Sequence, residues 1–369
     1  KRSLLSWAKT TSIFELLSLN DDDLHHENLY SIMDQLEENK KNVEEKLFAN
    51  RNTKPEMILY DITSTYFEGS KCKLAESGYS RDHRPDKKQI VIGLVVDEFG
   101  EPISVNTFEG NTADKSTLKN QVNDLKERFG ISDVTFVFDK GMVSQDSLDF
   151  ITGNEMSNCN YITSITKPEI LNIINNSDSI QLSLFDTVDI QECIIDKVRY
   201  VVCNNPLRAD SDKGKREKQI NKTTNDLEKL KKYVQKGKGK PENYVIEKVT
   251  EIFSKYHSKK YFTIKTGDKY LEYLLNQEAI DKETLLDGKY AIKTTLLDTK
   301  ITNEDIRKSY KNLSKVENAF KDIKTYLEIR PIYHHNDLRV KAHVFICFLA
   351  YYLYWHLEQK LELLLKDYT

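Results

Sequence analysis

Apolar positions change their spacing twice along this chain. Up to about residue 50 they recur at helical intervals: after the break at Asn20-Asp21-Asp22-Asp23, Leu29, Ile32, Met33 and Leu36 fall on one face ahead of a Glu- and Lys-rich stretch. Residues 1–54 are therefore expected to be a helical, scaffolding region. Because Lys1 stands inside a helical pattern, a further piece is expected to precede it. From Met57 the period becomes that of strands. Residues 57–67, 89–96 and 102–108 are β-branched and aromatic, and a turn at Asp97-Glu98-Phe99-Gly100 joins the last two, which predicts an antiparallel meander. A helix over 114–129 follows, with Leu118, Val122 and Leu125 on one face. The wholly apolar run 134–138 is expected as a central strand. A short helix (144–151) and a fifth strand (161–165) complete a mixed sheet with helices on its faces.

After Lys167-Pro168 the pattern loosens. Residues 170–285 hold short strand-like runs (198–202 and 261–265) around a long polar helix near 212–236, and read as an insertion into a core formed by 55–169 and 286–369. In the last segment, 290–297 is a returning strand and 303–325 a helix, its start marked by Thr302-Asn303 ahead of Glu304-Asp305. Residues 343–366 form a final apolar helix. Its uninterrupted apolar stretch, 344–355, falls short of the roughly 20 residues that span a bilayer.

Composition changes the picture in two places. The chain has 369 residues, 39% hydrophobic and 31% charged, with only 13 Gly and 7 Pro, which suits long regular elements and excludes a disordered tail or a disulfide-stapled peptide. Five scattered cysteines without a Cys-x-x-Cys pair point to a reducing compartment and no structural zinc. The net charge of −3 argues against a uniformly basic nucleic-acid binder. Residues 213–240, however, hold 11 Lys/Arg against 3 Asp/Glu, so the total hides a strongly basic segment. That segment is either a solvated helix followed by a Lys-Gly linker or a phosphate-backbone contact.

Three carboxylates stand out by position. Asp61 sits mid-strand, where an acid requires a partner or a metal. Asp139 follows an all-apolar strand, in Phe138-Asp139-Lys140-Gly141, and strand ends are where side chains converge on ligands. Glu317 lies on a helix beside the inward stripe of Val316, Phe320 and Ile323. Were the first and fourth strands neighbours, Asp61 and Asp139 would lie side by side and the helix would bring in Glu317. Such a set is either three ordinary ion pairs or an oxygen-only site for Mg²⁺ or Mn²⁺, two ions of which would suit phosphoryl transfer. Tyr310, Lys321 and Lys324 fall on or near the helical face of Glu317, and Arg330 follows, all placed to reach phosphate oxygens. Arg81, His83, Arg84, Lys87 and Lys88 crowd the loop ahead of the second strand, which reads as DNA-contacting.

The segments Tyr60–Phe67, Gly78–Gly93, Phe108–Thr112, Phe138–Met142 and Val316–His334, in that order, resemble the DDE transposases of the IS4 superfamily, specifically its IS1634-like group. The resemblance covers nearly the whole chain and weakens over 170–285. It implies a ribonuclease-H-like α/β core interrupted by a β-rich insertion domain, with Asp61, Asp139 and Glu317 as the catalytic, metal-binding triad. It also implies cut-and-paste movement of an insertion sequence, acting on terminal inverted repeats and target DNA, by a homodimer in the bacterial cytoplasm at the nucleoid. The family's Tyr, Arg, Glu, Lys signature maps onto Tyr310, Leu313, Glu317 and Lys324. Leu313 departs from it, so Lys311 or Lys315 substitutes for the phosphate-clamping Arg or end-binding is weakened. A nuclease without strand transfer, or an inactive DNA-binding derivative, are the alternatives.

Overall fold

The computed structural model describes residues 4–69, 71–153, 159–177, 180, 189–236, 239–297 and 301–366. The chain forms two compact units, Lys1–Ser164 with Lys293–Thr369, and Ile165–Ile292.

In the first unit, helices α1 (Leu4–Ala8), α2 (Ile13–Leu17), α3 (His26–Glu38) and α4 (Lys40–Ala49) precede the sheet. Then come β1 (Met57–Tyr66), β2 (Gln89–Asp97), β3 (Pro102–Glu109), α5 (Asp114–Phe129), β4 (Thr135–Phe138), α6 (Gln145–Thr152) and β5 (Asn160–Ser164). The strands lie in the order β3-β2-β1-β4-β5. β1, β2 and β3 form the antiparallel meander, whereas β4 runs parallel to β1 and β5 parallel to β4. This is a ribonuclease-H-like mixed sheet, with the apolar β4 between two parallel neighbours.

The two-residue period of a strand divides β1 between two environments. Ile58, Tyr60 and Ile62 join Phe136 and Phe138 of β4 and Leu118, Val122 and Leu125 of α5 in one buried cluster. The odd positions, Leu59, Asp61 and Thr63, face the other way. α4 is tied to this framework through Glu44, which is fully buried and accepts hydrogen bonds from the Val105 amide (3.0 Å) and the Arg128 guanidinium (2.7 Å). Where Gly78 passes Gly110, two backbones touch: a Cβ on Gly78 would stand 2.2 Å from the Gly110 carbonyl oxygen, and one on Gly110 would stand 1.9 Å from that of Gln89. Only glycine permits that approach.

The second unit contains α7 (Lys167–Asn176), β6 (Ile190–Ile195), β7 (Val198–Asn204), α8 (Pro206–Gln235), α9 (Glu242–Tyr256), β8 (Phe262–Gly267), β9 (Tyr270–Leu275) and α10 (Gln277–Leu285); β10 (Lys289–Thr294) leads out of it. β6 and β7 form a hairpin whose two turn residues, Asp196 and Lys197, both have positive φ (49° and 61°), the backbone a tight twisted hairpin demands. The resemblance implies a β-rich insertion, yet among the described residues this unit holds more helix than strand. The reason is α8, which runs for 30 residues. Leu227, Leu230 and Val234 recur along it at helical spacing and pack on Val245 and Val249 of α9, with Leu271 of β9 in the same cluster. Lys213, Lys215, Lys218, Lys222, Lys229 and Lys232 of α8 are exposed. The linker at 236–240 is only partly within the described residues.

The chain then returns to the first unit as α11 (Asn303–Lys311), α12 (Leu313–Thr325) and α13 (Asp337–Lys366). The single helix expected over 303–325 is broken at Asn312. There the amide of Asn312 bonds the carbonyls of both Lys308 (3.0 Å) and Ser309 (3.2 Å), and its own carbonyl accepts from Lys315 only three residues on (2.8 Å). The ladder tightens for one turn before α12 begins. Asn suits such a junction because its side chain competes with helical bonding. No helix among the described residues is long and apolar enough to cross a membrane. The five cysteines are buried, and none forms a disulfide.

Candidate active site

The β1/β4 register pairs Leu59 with Val137. Carried two residues further, it sets Asp61 level with Asp139, on the face that the odd positions share. α12 packs over this face and brings Glu317. Asp61, Asp139 and Glu317 line one cavity of about 290 Å³, together with Arg81, Asp114 and Phe320. Burial pushes the Asp61 carboxyl up to about 7, against the pull of the Ile62 amide and the Arg81 guanidinium, and the negative charges of Glu317 and Asp139 add to the rise. Asp139 is exposed and its Oδ1 accepts hydrogen bonds from the Tyr310 hydroxyl (3.2 Å) and Ser164 Oγ (3.3 Å). Burial, reinforced by the Asp139 charge, pushes the Tyr310 phenol up to about 12, so it remains a donor at every ordinary pH. Among the described residues no three His, Cys, Asp or Glu side chains stand close enough to hold a metal ion as they lie. The donor set nevertheless fits a hard divalent cation. It consists of carboxylate oxygens, and a cation would relieve the cost that burial and two like charges impose on Asp61.

Residues 52–353 match the transposase DDE domain family. The chain belongs to that family. Two solved transposases are similar over part of it. A piggyBac transposase synaptic complex with hairpin DNA shares 18% identity at a TM-score of 0.31, over 42% of this chain and 32% of that one. A Mos1 transposase paired-end complex with left transposon end shares 13% at 0.21, over 43% and 56%. The matched regions thus span a third to just over half of those chains. No curated protein matches.

The basic residues of this transposase domain divide by what they touch. Arg81 reaches the cavity, where its guanidinium donates to Asp114 Oδ2 at 2.6 Å. Its amide bonds Ser64 Oγ at 2.9 Å, which fixes the loop to β1. Lys324 behaves differently. Its ammonium donates to Thr63 Oγ1 (2.7 Å), the Ser64 carbonyl (2.8 Å) and Asp82 Oδ1 (2.9 Å), so its three N–H donors are directed at protein acceptors. Burial lowers its pKa, and Asp82 opposes that fall. Arg330 also donates to Asp82 Oδ1, and the Tyr66 amide donates to Oδ2 at 3.3 Å. Lys321 is exposed on α12. Arg84 is held by Asp86, Lys87 by Glu68 and, at 3.9 Å, Lys88 by Glu76, and none of these lines the cavity. His83 takes a positive φ of 56° in the turn of the same loop. Leu313 is buried, Lys311 is exposed, and Lys315 donates to the Glu98 carbonyl and lies 5.7 Å over the Phe99 ring.

Two acids escaped the sequence reading. Asp82 is hidden between Arg81 and His83 in a loop that reads as basic. Asp114 reads as an ordinary helix-start acid. A carboxylate inside a cationic cluster is a signal for the first, one that it shares with Asp86; the second has none in one sequence.

Proposed function

We propose that this chain is a DNA transposase of the IS4 superfamily, IS1634-like group, which cleaves DNA at the terminal inverted repeats of an insertion sequence and joins the freed ends to target DNA. One observation carries the reading: carboxylates from β1, the end of β4 and α12 line a single cavity in a chain of the DDE family. Asp61, Asp139 and Glu317 would hold the divalent cations, two Mg²⁺ or Mn²⁺. Bound there, such ions activate the attacking water or 3′-hydroxyl and stabilise the leaving oxygen.

The chain's own residues prepare that site. The β1/β4 pair fixes the strand positions from which Asp61 and Asp139 emerge, both on the wall of the cavity. Tyr310 and Ser164 hold the Asp139 carboxylate by one oxygen and leave the other free to ligate. Arg81 sets a positive charge in the cavity wall, and a phosphate oxygen would replace Asp114 as its partner. Lys324 anchors α12, and with it Glu317, to β1 through Thr63 and Ser64. The exposed Lys321 and the lysines of α8 would follow the DNA backbone. In this reading two copies act together, one at each element end, at the nucleoid of a bacterial cytoplasm.

The test is cleavage and joining of a labelled duplex bearing the element end. Asp61→Asn, Asp139→Asn and Glu317→Gln should each abolish metal-dependent cleavage and leave DNA binding near wild type. Normal cleavage by any of them removes that residue from the triad. Cleavage without joining of a pre-cut 3′ end to target would favour a nuclease.

A further inference from the structure

Four of the described residues that line the candidate active-site cavity are acids, Asp61, Asp114, Asp139 and Glu317, and one, Arg81, is a cation. The proposed metal site uses three of these acids and leaves Asp114 without a task. Asp114 Oδ2 instead accepts from the Arg81 guanidinium at 2.6 Å. The two partners differ in how firmly they are placed. Asp114 is the first residue of α5, a helix held in the core by Leu118, Val122 and Leu125. Arg81 belongs to a loop and reaches the cavity on a long, rotatable stem. The backbone of that loop is fixed, by the Arg81 amide to Ser64 Oγ (2.9 Å) and by the Tyr79 carbonyl, which accepts from Gln89 Nε2 (3.0 Å). The guanidinium itself is positioned chiefly by Asp114, since the Tyr79 ring lies 5.8 Å away and Tyr79 is 80% exposed.

An arginine among carboxylates has other partners within its reach. The Arg81 charge already acts on the Asp61 carboxyl, opposing the rise that burial causes there. Freed from Asp114, the guanidinium would settle against Asp61 or Glu317 and occupy the oxygens that a divalent cation needs. An opposite charge in contact weakens a carboxylate's hold on a proton by about ten- to a thousandfold, and a metal ion meets the same competition.

We propose that Asp114 is a positioning residue, which holds Arg81 away from the metal-binding carboxylates and releases it to a DNA phosphate. The proposal deepens the reading of Asp61, Asp139 and Glu317 as metal ligands, and rests on it. Calorimetric titration of the full chain with Mn²⁺ alone tests it, without DNA and without catalysis. Asp114→Ala should bind Mn²⁺ more weakly than wild type, by about tenfold or more. Arg81→Gln should bind at least as tightly as wild type, and adding Asp114→Ala to Arg81→Gln should change nothing further. Melting temperatures should move little, because the two side chains are a quarter and a third exposed. Asp114→Asn, which keeps an acceptor oxygen without the charge, serves the same comparison if the Ala variant does not fold. Were Asp114 itself a ligand, its loss would weaken Mn²⁺ binding in the Arg81→Gln chain too, and that result overturns the proposal. Glu317→Gln separates the two readings. Normal Mn²⁺ binding by that variant removes the metal site and the role of Asp114 together, whereas binding lost in Glu317→Gln but intact in Asp114→Ala overturns the role of Asp114 alone.

Discussion

Asp82→Asn puts the anchor of α12 to a direct test. The Asp82 side chain is 2% exposed and that of Lys324 12%, and they meet at 2.9 Å. Removing one member of a buried pair typically costs about 3–5 kcal/mol, because the other charge is left without its counter-ion. Lys324 keeps Thr63 and Ser64 as acceptors, and Arg330, a third exposed, can turn towards water, so the lower end applies, about 3 kcal/mol. At roughly 2–4 °C per kcal/mol for a domain of this size, the melting temperature should fall by about 6–12 °C. Lys324→Met alone should also destabilise, by stranding Asp82. Combining the two changes should recover much of the loss, since neither charge then remains unpaired. Thermal or urea unfolding of the four proteins gives the coupling energy, expected at about 2 kcal/mol or more. Additive effects would refute the buried pair. A Lys324→Met chain that is fully stable but binds DNA with a shallower salt dependence would refute the anchoring role and return Lys324 to the phosphate contact implied by the family signature.

Other consequences can be checked with the same proteins. Asp61 titrates near 7 in the folded chain against an ordinary 3.8, so the folded state holds the proton more tightly and stability falls as pH rises through that window. In metal-free buffer Asp61→Asn should therefore gain stability over wild type between pH 4 and pH 8, by at most about 4 kcal/mol; a pH-independent difference would contradict the shift. Gly110→Ala should destabilise by several degrees in a thermal melt, because its Cβ would overlap the Gln89 and Glu76 carbonyl oxygens; an unchanged melting temperature would show that the loop yields freely. Replacing Lys213, Lys215, Lys218, Lys222 and Lys229 by Gln should flatten the plot of log affinity for DNA against log salt, by about 0.9 for each phosphate that a lysine no longer neutralises, and an unchanged slope would make α8 a solvated helix only.

The sheet was legible because its information is local: alternation marks β1, an unbroken apolar run marks β4, and the acid just after that run marks a strand end. The juxtaposition of Asp61 with Asp139 followed once β1 and β4 were placed side by side. The break at Asn312 was not legible, because one residue barely disturbs the apolar period of 303–325. The role of Lys324 was hidden for another reason. Its acceptors lie 242 to 261 positions away, at Asp82, Ser64 and Thr63, and nothing near it in sequence marks it as buried. Helical spacing put Lys324 on the face of Glu317 but could not say that this face closes down on β1 at that end and opens as a cavity at the other.

The split of the first unit orders events during synthesis. Asp61 and Asp139 leave the ribosome first, and Glu317 follows Asp139 by 178 residues, most of them belonging to the second unit. At about 5–20 residues per second that interval lasts roughly 10–35 s. A nascent chain therefore carries two of the three carboxylates of the proposed site and lacks the helix that closes over them. Any product truncated before α12 has the same deficit, so under the proposed reading it would lack a complete site.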